Sequence, residues 1–263
     1  GGAISAHSNS VVAVTNCAFY NNTAQTGGAI GAISSALTVT SSLFENNTAT
    51  CPNAFAACLA WGGAIGAVEA QSVTIADNRF NRNAVNLELN GVRDGSSSAA
   101  GGGGCVSVLY NADVSNSRVA VDGNTFQSCS VRMSGSRDSA TRTTETSGVQ
   151  YGNAYGGAVS VYYGLRAASL LQVRNVASSF TNNLCRGSVI DARVGVGGSV
   201  YGGCLSIYAG AWSVNASGDS SVGSLLVDDM RTNVSSNRLE DCGAFISSNS
   251  YFSYGASVHG GGI

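Results

Sequence analysis

The sequence predicts an all-β fold: a parallel β-helix, or solenoid, of about six coils with three short strands in each. Three features carry this prediction: a glycine pair that recurs seven times, an aromatic motif that recurs once per interval, and apolar residues alternating with period two ahead of that motif. The pairs open Gly1-Gly2-Ala3-Ile4, Gly27-Gly28-Ala29-Ile30, Gly62-Gly63-Ala64-Ile65, Gly103-Gly104-Cys105-Val106, Gly156-Gly157-Ala158-Val159, Gly202-Gly203-Cys204-Leu205 and Gly260-Gly261-Gly262-Ile263. The shortest interval, 26 residues, is too short for a four-stranded propeller blade but long enough for one three-sided coil. At a stacking distance of about 4.8 Å, six coils form a rod of roughly 29 Å.

The first strand of each coil follows the pair. Ile4, Ile30, Ile65, Val106, Val159, Leu205 and Ile263 share one offset, and Ala6, Ala32, Ala67, Val108, Val161 and Ile207 share the next inward one. Between them stand Ser5, Gly31, Gly66, Ser107, Ser160 and Ser206, a stripe of small residues expected to face solvent. The second strand carries Val12 and Val14, Leu37 and Val39, Val73 and Ile75, and Val119 and Val121, which alternate as a strand requires. A third strand is headed by Phe19, Phe44, Phe80, Phe126 and Phe180, with Leu239 in the sixth coil. Three residues later stand Asn22, Asn47, Asn83, Cys129, Asn183 and Cys242; a stacked amide both donates and accepts, so the asparagines are read as a structural ladder. Residues 86–100, 130–153 and 209–224 are rich in Ser, Gly and Thr and are expected to be loops inserted at one corner.

Composition narrows the function. The chain has 35 glycines, one proline, 11% charged residues and a net charge of -2, so it offers no basic field for nucleic acid. All 13 cationic side chains are arginine, which excludes lysine-based chemistry such as a Schiff base or a P-loop. No apolar run is long enough to span a membrane. Beginning and ending on the glycine motif, residues 1–263 are expected to be one continuous segment cut in phase from a longer protein.

Eight cysteines without a Cys-x-x-Cys pair suit an oxidising, extracellular compartment. Cys105 and Cys204 replace the alanine after the glycine pair, and Cys129 and Cys242 replace the ladder asparagine, each time in the same two coils. This coordinated replacement predicts Cys105–Cys129 and Cys204–Cys242 disulfides. Cys51 and Cys58 close a small loop around Pro52; Cys17 and Cys185 are left over, and Cys185–Cys204 is the competing pairing. Sequons for N-glycosylation occur at Asn21, Asn46, Asn215 and Asn233.

The Gly-Gly-Ala-Ile and Phe-x-x-Asn elements, as in Gly27-Gly28-Ala29-Ile30 with Phe44-Glu45-Asn46-Asn47, resemble the repeat of the chlamydial polymorphic outer membrane proteins and of related large surface proteins of algae and protists. That resemblance covers the whole chain and implies a right-handed parallel β-helix displayed outside the cell for adhesion or surface architecture. The chain departs from it by its cysteines, its long inserts and the lack of an autotransporter barrel.

Two other functions compete. Asp228-Asp229 followed by His259-Gly260 resembles the adjacent aspartates and His-Gly element of polygalacturonases, β-helix enzymes in which a carboxylic acid protonates the leaving oxygen and carboxylates activate water. That family's Arg-x-Lys clamp cannot form here, and repeat register places His259 in line with Trp61, Tyr155 and Tyr201, and His7 in line with Ile33 and Val68 as a partly buried strand residue. Trp61, Tyr155, Tyr201 and His259 could alternatively line an edge on which sugar rings stack. The reading preferred on sequence is a non-enzymatic, extracellular scaffold without catalytic residues, cofactor or metal. Its partners would be other surface or matrix proteins, further copies in a fibre, or glycans.

Overall fold

In the computed structural model, which describes residues 1–51, 57–90, 98–111, 113–136, 151–163, 170–193, 198–209, 212–214, 220–222, 224–247 and 257–259, the chain returns to the same parallel sheet once per glycine pair. The first sheet stacks Ile4–His7, Ile30–Ile33, Ile65–Val68, Val106–Tyr110, Val159–Tyr163 and Leu205–Ala209 in that order. Its register aligns Ile4 with Ile30, Ile65, Val106, Val159 and Leu205. The second sheet contains Val11–Thr15, Ala36–Thr40, Ser72–Ala76, Arg118–Asp122, Leu170–Thr181 and Ser224–Ser235, the third Ala18–Tyr20, Leu43–Glu45, Arg79–Asn81, Thr125–Gln127, Leu184–Arg186 and Arg238–Glu240. The molecule is all-β with parallel sheets, and no helix occurs among the described residues.

Two further sheets correct the expectation of three strands per repeat. A fourth holds Thr23–Ala24, Thr48–Cys51, Ala84–Asn90, Ser130–Ser136, Val189–Arg193 and Gly243–Ser247, and a fifth Ala57–Trp61, Ser98–Gly102, Tyr151–Tyr155, Gly198–Tyr201 and Ser257–His259. Single residues in the left-handed region break the runs. Asn16, Ser41, Asp77, Gly123, Asn182 and Ser236 turn the chain from the second sheet to the third; Asn21, Asn46, Arg82, Ser128, Gly187 and Asp241 turn it from the third to the fourth. One such residue reverses the local backbone twist enough to end a strand without a loop.

The glycine pair is needed for two different reasons. Gly27, Gly62, Gly103, Gly156 and Gly202 have φ between 53° and 66°. The second glycine is a point of close approach: a Cβ on Gly63 would lie 2.0 Å from the Gly104 carbonyl oxygen, and one on Gly104 would lie 2.2 Å from that of Gly157.

Three apolar layers occur among the described residues. The main core joins the inward residues of the first three sheets; Phe19, Phe44, Phe80 and Phe126 stack through it with centroids 4.9 Å apart and ring planes within 13°. Burying each such ring contributes about 2–3 kcal/mol. A second core, including Val85, Leu87, Val131, Met133, Ala154 and Val200, lies between the fourth and fifth sheets. The other face of the fifth sheet places Trp61 and Tyr155 against Leu109 and Tyr162 on the outer side of the first.

The small-residue stripe is therefore not exposed. Gly31, Gly66, Ser107, Ser160 and Ser206 are buried, and only Ser5, ahead of the first fifth-sheet strand, faces solvent. Their small size lets the neighbouring chain approach: a Cβ on Gly66 would meet the Thr26 methyl at 2.8 Å and the Trp61 carbonyl at 2.9 Å. His7 is likewise exposed rather than partly buried, although its register with Ile33 is as expected.

The inserts also differ from expectation. Segments 86–100 and 130–153 supply strands of the fourth and fifth sheets, whereas 209–224 lies between the first and second sheets and contributes the antiparallel pair Trp212–Val214 and Ser220–Val222.

The fifth repeat is framed differently from its motif. Phe180 aligns with Val121 in the second sheet, and Cys185 aligns with Phe126 in the aromatic row. Phe180-x-x-Asn183 imitates the repeat motif while lying one sheet earlier.

Candidate functional site

Two corners of each repeat are held by side chains rather than loops. At the corner between third and fourth sheets, the Asn22 amide donates to Asn47 Oδ1 at 2.8 Å and the Asn47 amide donates to Asn83 Oδ1 at 3.0 Å. Each amide also satisfies backbone: Asn47 Oδ1 accepts from the Asn22 N–H, and Asn47 Nδ2 donates to the Phe19 carbonyl. The ladder stops where cysteine replaces asparagine, and the Asn83 amide ends on Cys105 Sγ at 3.4 Å.

A second ladder, unrecognised in the sequence, occupies the corner between second and third sheets. Asn78, Asn124, Asn183 and Asn237 donate amide to carbonyl in succession at 3.1, 3.1 and 2.9 Å. Ser42 and Cys17 hold the same position in the first two repeats, where the Ser42 N–H donates to Asn78 Oδ1 and the Cys17 N–H to Ser42 Oγ. The signal was present: an asparagine stands two residues before Phe80 and Phe126, and equally before Cys185 and Leu239. Asn183 belongs to this ladder rather than to the one at the next corner, where Ser188 stands in the fifth repeat.

The cysteines mark where these rows are interrupted. Cys105 and Cys129 are bonded to each other, with Cα atoms 5.5 Å apart. Two repeats on, Cys204 and Cys242 occupy the equivalent positions with Cα atoms 5.4 Å apart. Between them, Cys185 stands in the aromatic row, and its Cα is 6.5 Å from that of Cys204. Both separations lie within disulfide range. Because cysteine is smaller than phenylalanine, a cavity of about 20 Å³ opens here, lined by Phe126, Ala158, Cys185, Cys204, Leu205 and Leu239 among others.

Three sulfurs within 4.8 Å of one another could also hold a soft metal ion as thiolates. A disulfide consumes two of those donors, so the metal-bound and disulfide states exclude each other. The bonded pair at the equivalent Cys105 and Cys129 positions favours the disulfide. The expected Cys51–Cys58 link depends on the Cys58 side chain, which lies outside the described residues; Cys51 is buried and Cys17 is exposed.

Register aligns Trp61, Tyr155, Tyr201 and His259 as the sequence implies, with Gly102 between the first two. Trp61 and Tyr155 are 2% and 3% exposed, so neither offers a face to a sugar ring. Their rings stack at 6.2 Å, and Tyr155 stacks on Tyr201 at 5.0 Å and meets Tyr162 edge-on at 4.8 Å. Burial raises the phenol of Tyr155 well above its usual range, and burial likewise raises those of Tyr162 and Tyr208. The side chain of His259 lies outside the described residues.

Asp228 and Asp229 are exposed on the second sheet, whereas His259 belongs to the fifth, so the polygalacturonase-like elements are on different sheets. Asp229 instead pairs with Arg231 through 2.7 and 3.1 Å contacts. Of the sequons, Asn21 and Asn46 are exposed at left-handed corners one repeat apart, and Asn233 is exposed on the second sheet; Asn215 lies outside the described residues. No helix is long and apolar enough to cross a membrane among the described residues. No protein-family profile, curated protein or solved structure matches the chain.

Proposed function

We propose that the chain is a right-handed, single-stranded parallel β-helix that serves as a rigid, non-enzymatic scaffold for adhesion or assembly outside the cell. The observation carrying this reading is that side chains stack on their equivalents from one repeat to the next: amide ladders run from Asn22 to Asn83 and from Asn78 to Asn237, rings stack from Phe19 to Phe126, and the Cys105–Cys129 bond stands where the first ladder ends. Such stacking spends the sequence on stiffness, the property a spacer or adhesin stalk needs. The Cys105–Cys129 bond supports an oxidising compartment. Asn21 and Asn46, exposed on adjacent corners, would carry glycan away from the core. The resemblance to chlamydial and protist surface repeats points the same way.

A crystal structure and a binding assay test the two halves of the proposal. Right-handed coils that keep Ile4, Ile30 and Ile65 in register, and chain-coated beads that adhere to cells or matrix without altering the polysaccharides present, are expected. Parallel sheets that do not close into right-handed coils would sink the β-helix, and release of reducing or unsaturated sugar ends from a polysaccharide panel would sink the non-enzymatic assignment.

A further inference from the structure

A sulfur atom makes one disulfide, yet the backbone places Cys204 in disulfide range of two partners, with Cα atoms 6.5 Å from Cys185 and 5.4 Å from Cys242. We propose that Cys185, Cys204 and Cys242 form a thiol–disulfide exchange site, in which Cys204 trades partners and the unpaired thiol moves between the interior and the surface. The three sulfurs lie within 4.8 Å of one another, so a thiol at either outer position is close enough to attack a bond made by Cys204. Cys185 is 3% exposed and Cys242 is half-buried, so the two pairings leave different thiols accessible.

The surroundings permit the motion. Cys185 fills a row position sized for phenylalanine, and the adjoining cavity leaves its sulfur room to swing. Cys185 Sγ lies 3.4 Å from Ser188 Oγ and Cys242 Sγ 3.6 Å from the Glu240 carbonyl, so each outer sulfur has a polar neighbour for its thiol form. In the exchange the Cys185 thiolate attacks Cys204 Sγ, the Cys185–Cys204 bond forms, and the Cys204–Cys242 bond breaks. Cys242 leaves as a thiolate and takes up from water the proton that Cys185 released. Two sulfurs remain oxidised throughout, so no external oxidant or reductant takes part. The consequence is an intermittently presented surface thiol at Cys242, open to alkylation or to a disulfide on another molecule. This inference is independent of the scaffold reading, since it rests on the local geometry around Cys204.

The test is disulfide mapping of the oxidised chain before and after native alkylation with N-ethylmaleimide. Acid-quenched, untreated protein is expected to yield both Cys185–Cys204 and Cys204–Cys242 peptides. Native alkylation should cap Cys242 and drain the population into Cys185–Cys204, with loss of the Cys204–Cys242 peptide. In Cys185→Ala the same treatment should leave Cys204–Cys242 intact, which separates exchange from simple opening of the bond. A single linkage unaffected by alkylation, a Cys185 bond to any other residue, or three alkylatable thiols accompanied by bound metal would each overturn the proposal.

Discussion

Asn124→Ala isolates the cost of breaking a corner ladder. Asn124 is 1% exposed; its Oδ1 accepts from the Asn78 backbone N–H at 2.9 Å and from the Asn78 amide at 3.1 Å. Its Nδ2 donates to the Ile75 carbonyl at 2.8 Å, the Asp122 carbonyl at 2.9 Å and Asn183 Oδ1 at 3.1 Å. Truncation therefore orphans a buried N–H and a buried carbonyl and cuts the ladder in the middle. At about 1–3 kcal/mol for each buried group left unpaired, the expected loss is about 3–5 kcal/mol, a large share of the stability of an ordinary domain. Urea unfolding followed by circular dichroism measures it, with exposed Gln127→Ala as a control expected within about 0.5 kcal/mol of the parent. Asn124→Asp sharpens the assignment. The buried carboxyl favours its neutral form, which can donate one hydrogen bond, so this variant should gain stability relative to the parent as the pH falls. A midpoint for Asn124→Ala matching that of Gln127→Ala, at an unchanged slope, would refute the ladder as a source of stability.

Three further outcomes are expected. Gly63→Ala should abolish folding, because its Cβ would sit 2.0 Å from a backbone oxygen, whereas Gly123→Ala, at φ 65° against only the Asp77 side chain, should cost about 1–2 kcal/mol; soluble yield and thermal melts distinguish them. Reducing Cys105–Cys129, which spans 24 residues, should cost about 3.5 kcal/mol on the chain-entropy account. The pair Cys105→Ala with Cys129→Asn, which restores the residues of the second repeat, should melt above Cys105→Ala with Cys129→Ala. Alkaline stability follows from the buried tyrosines: their folded pKa values are raised, so stability is level below the unfolded value of 10.0 and falls above it by about 1.4 kcal/mol per pH unit for each phenol kept neutral. Phenolate absorbance should lag in the folded chain and rise with unfolding; titration of all ten tyrosines near pH 10 in the folded state would contradict it.

Much of the register was legible because like stacks on like. The Ile4 row, the Ala6 row and the aromatic row through Phe126 align in space as they align in the chain. The fifth repeat was misread because Phe180 and Asn183 are three residues apart for a different reason: one is the last inward residue of the second sheet and the other its corner amide. Spacing within one sequence cannot distinguish a motif from its coincidence when both corners favour asparagine. The fifth sheet was hidden for a related reason. Gly101 and Gly102, or Gly152 and Asn153, carry turn-like composition yet form strands, since a chain packed between two faces needs small residues and not strand propensity.

By itself, then, the sequence determined the repeat, its parallel pairing and the Cys105–Cys129 pairing, because each depends on a residue standing over its equivalent one repeat away. Tertiary structure alone decided that the stripe from Gly31 to Ser206 is covered, that Trp61 and Tyr155 are core, and that Cys185 joins Cys204 and Cys242. Those outcomes depend on which sheet lies across from which, a sideways relation that periodicity along the chain does not encode.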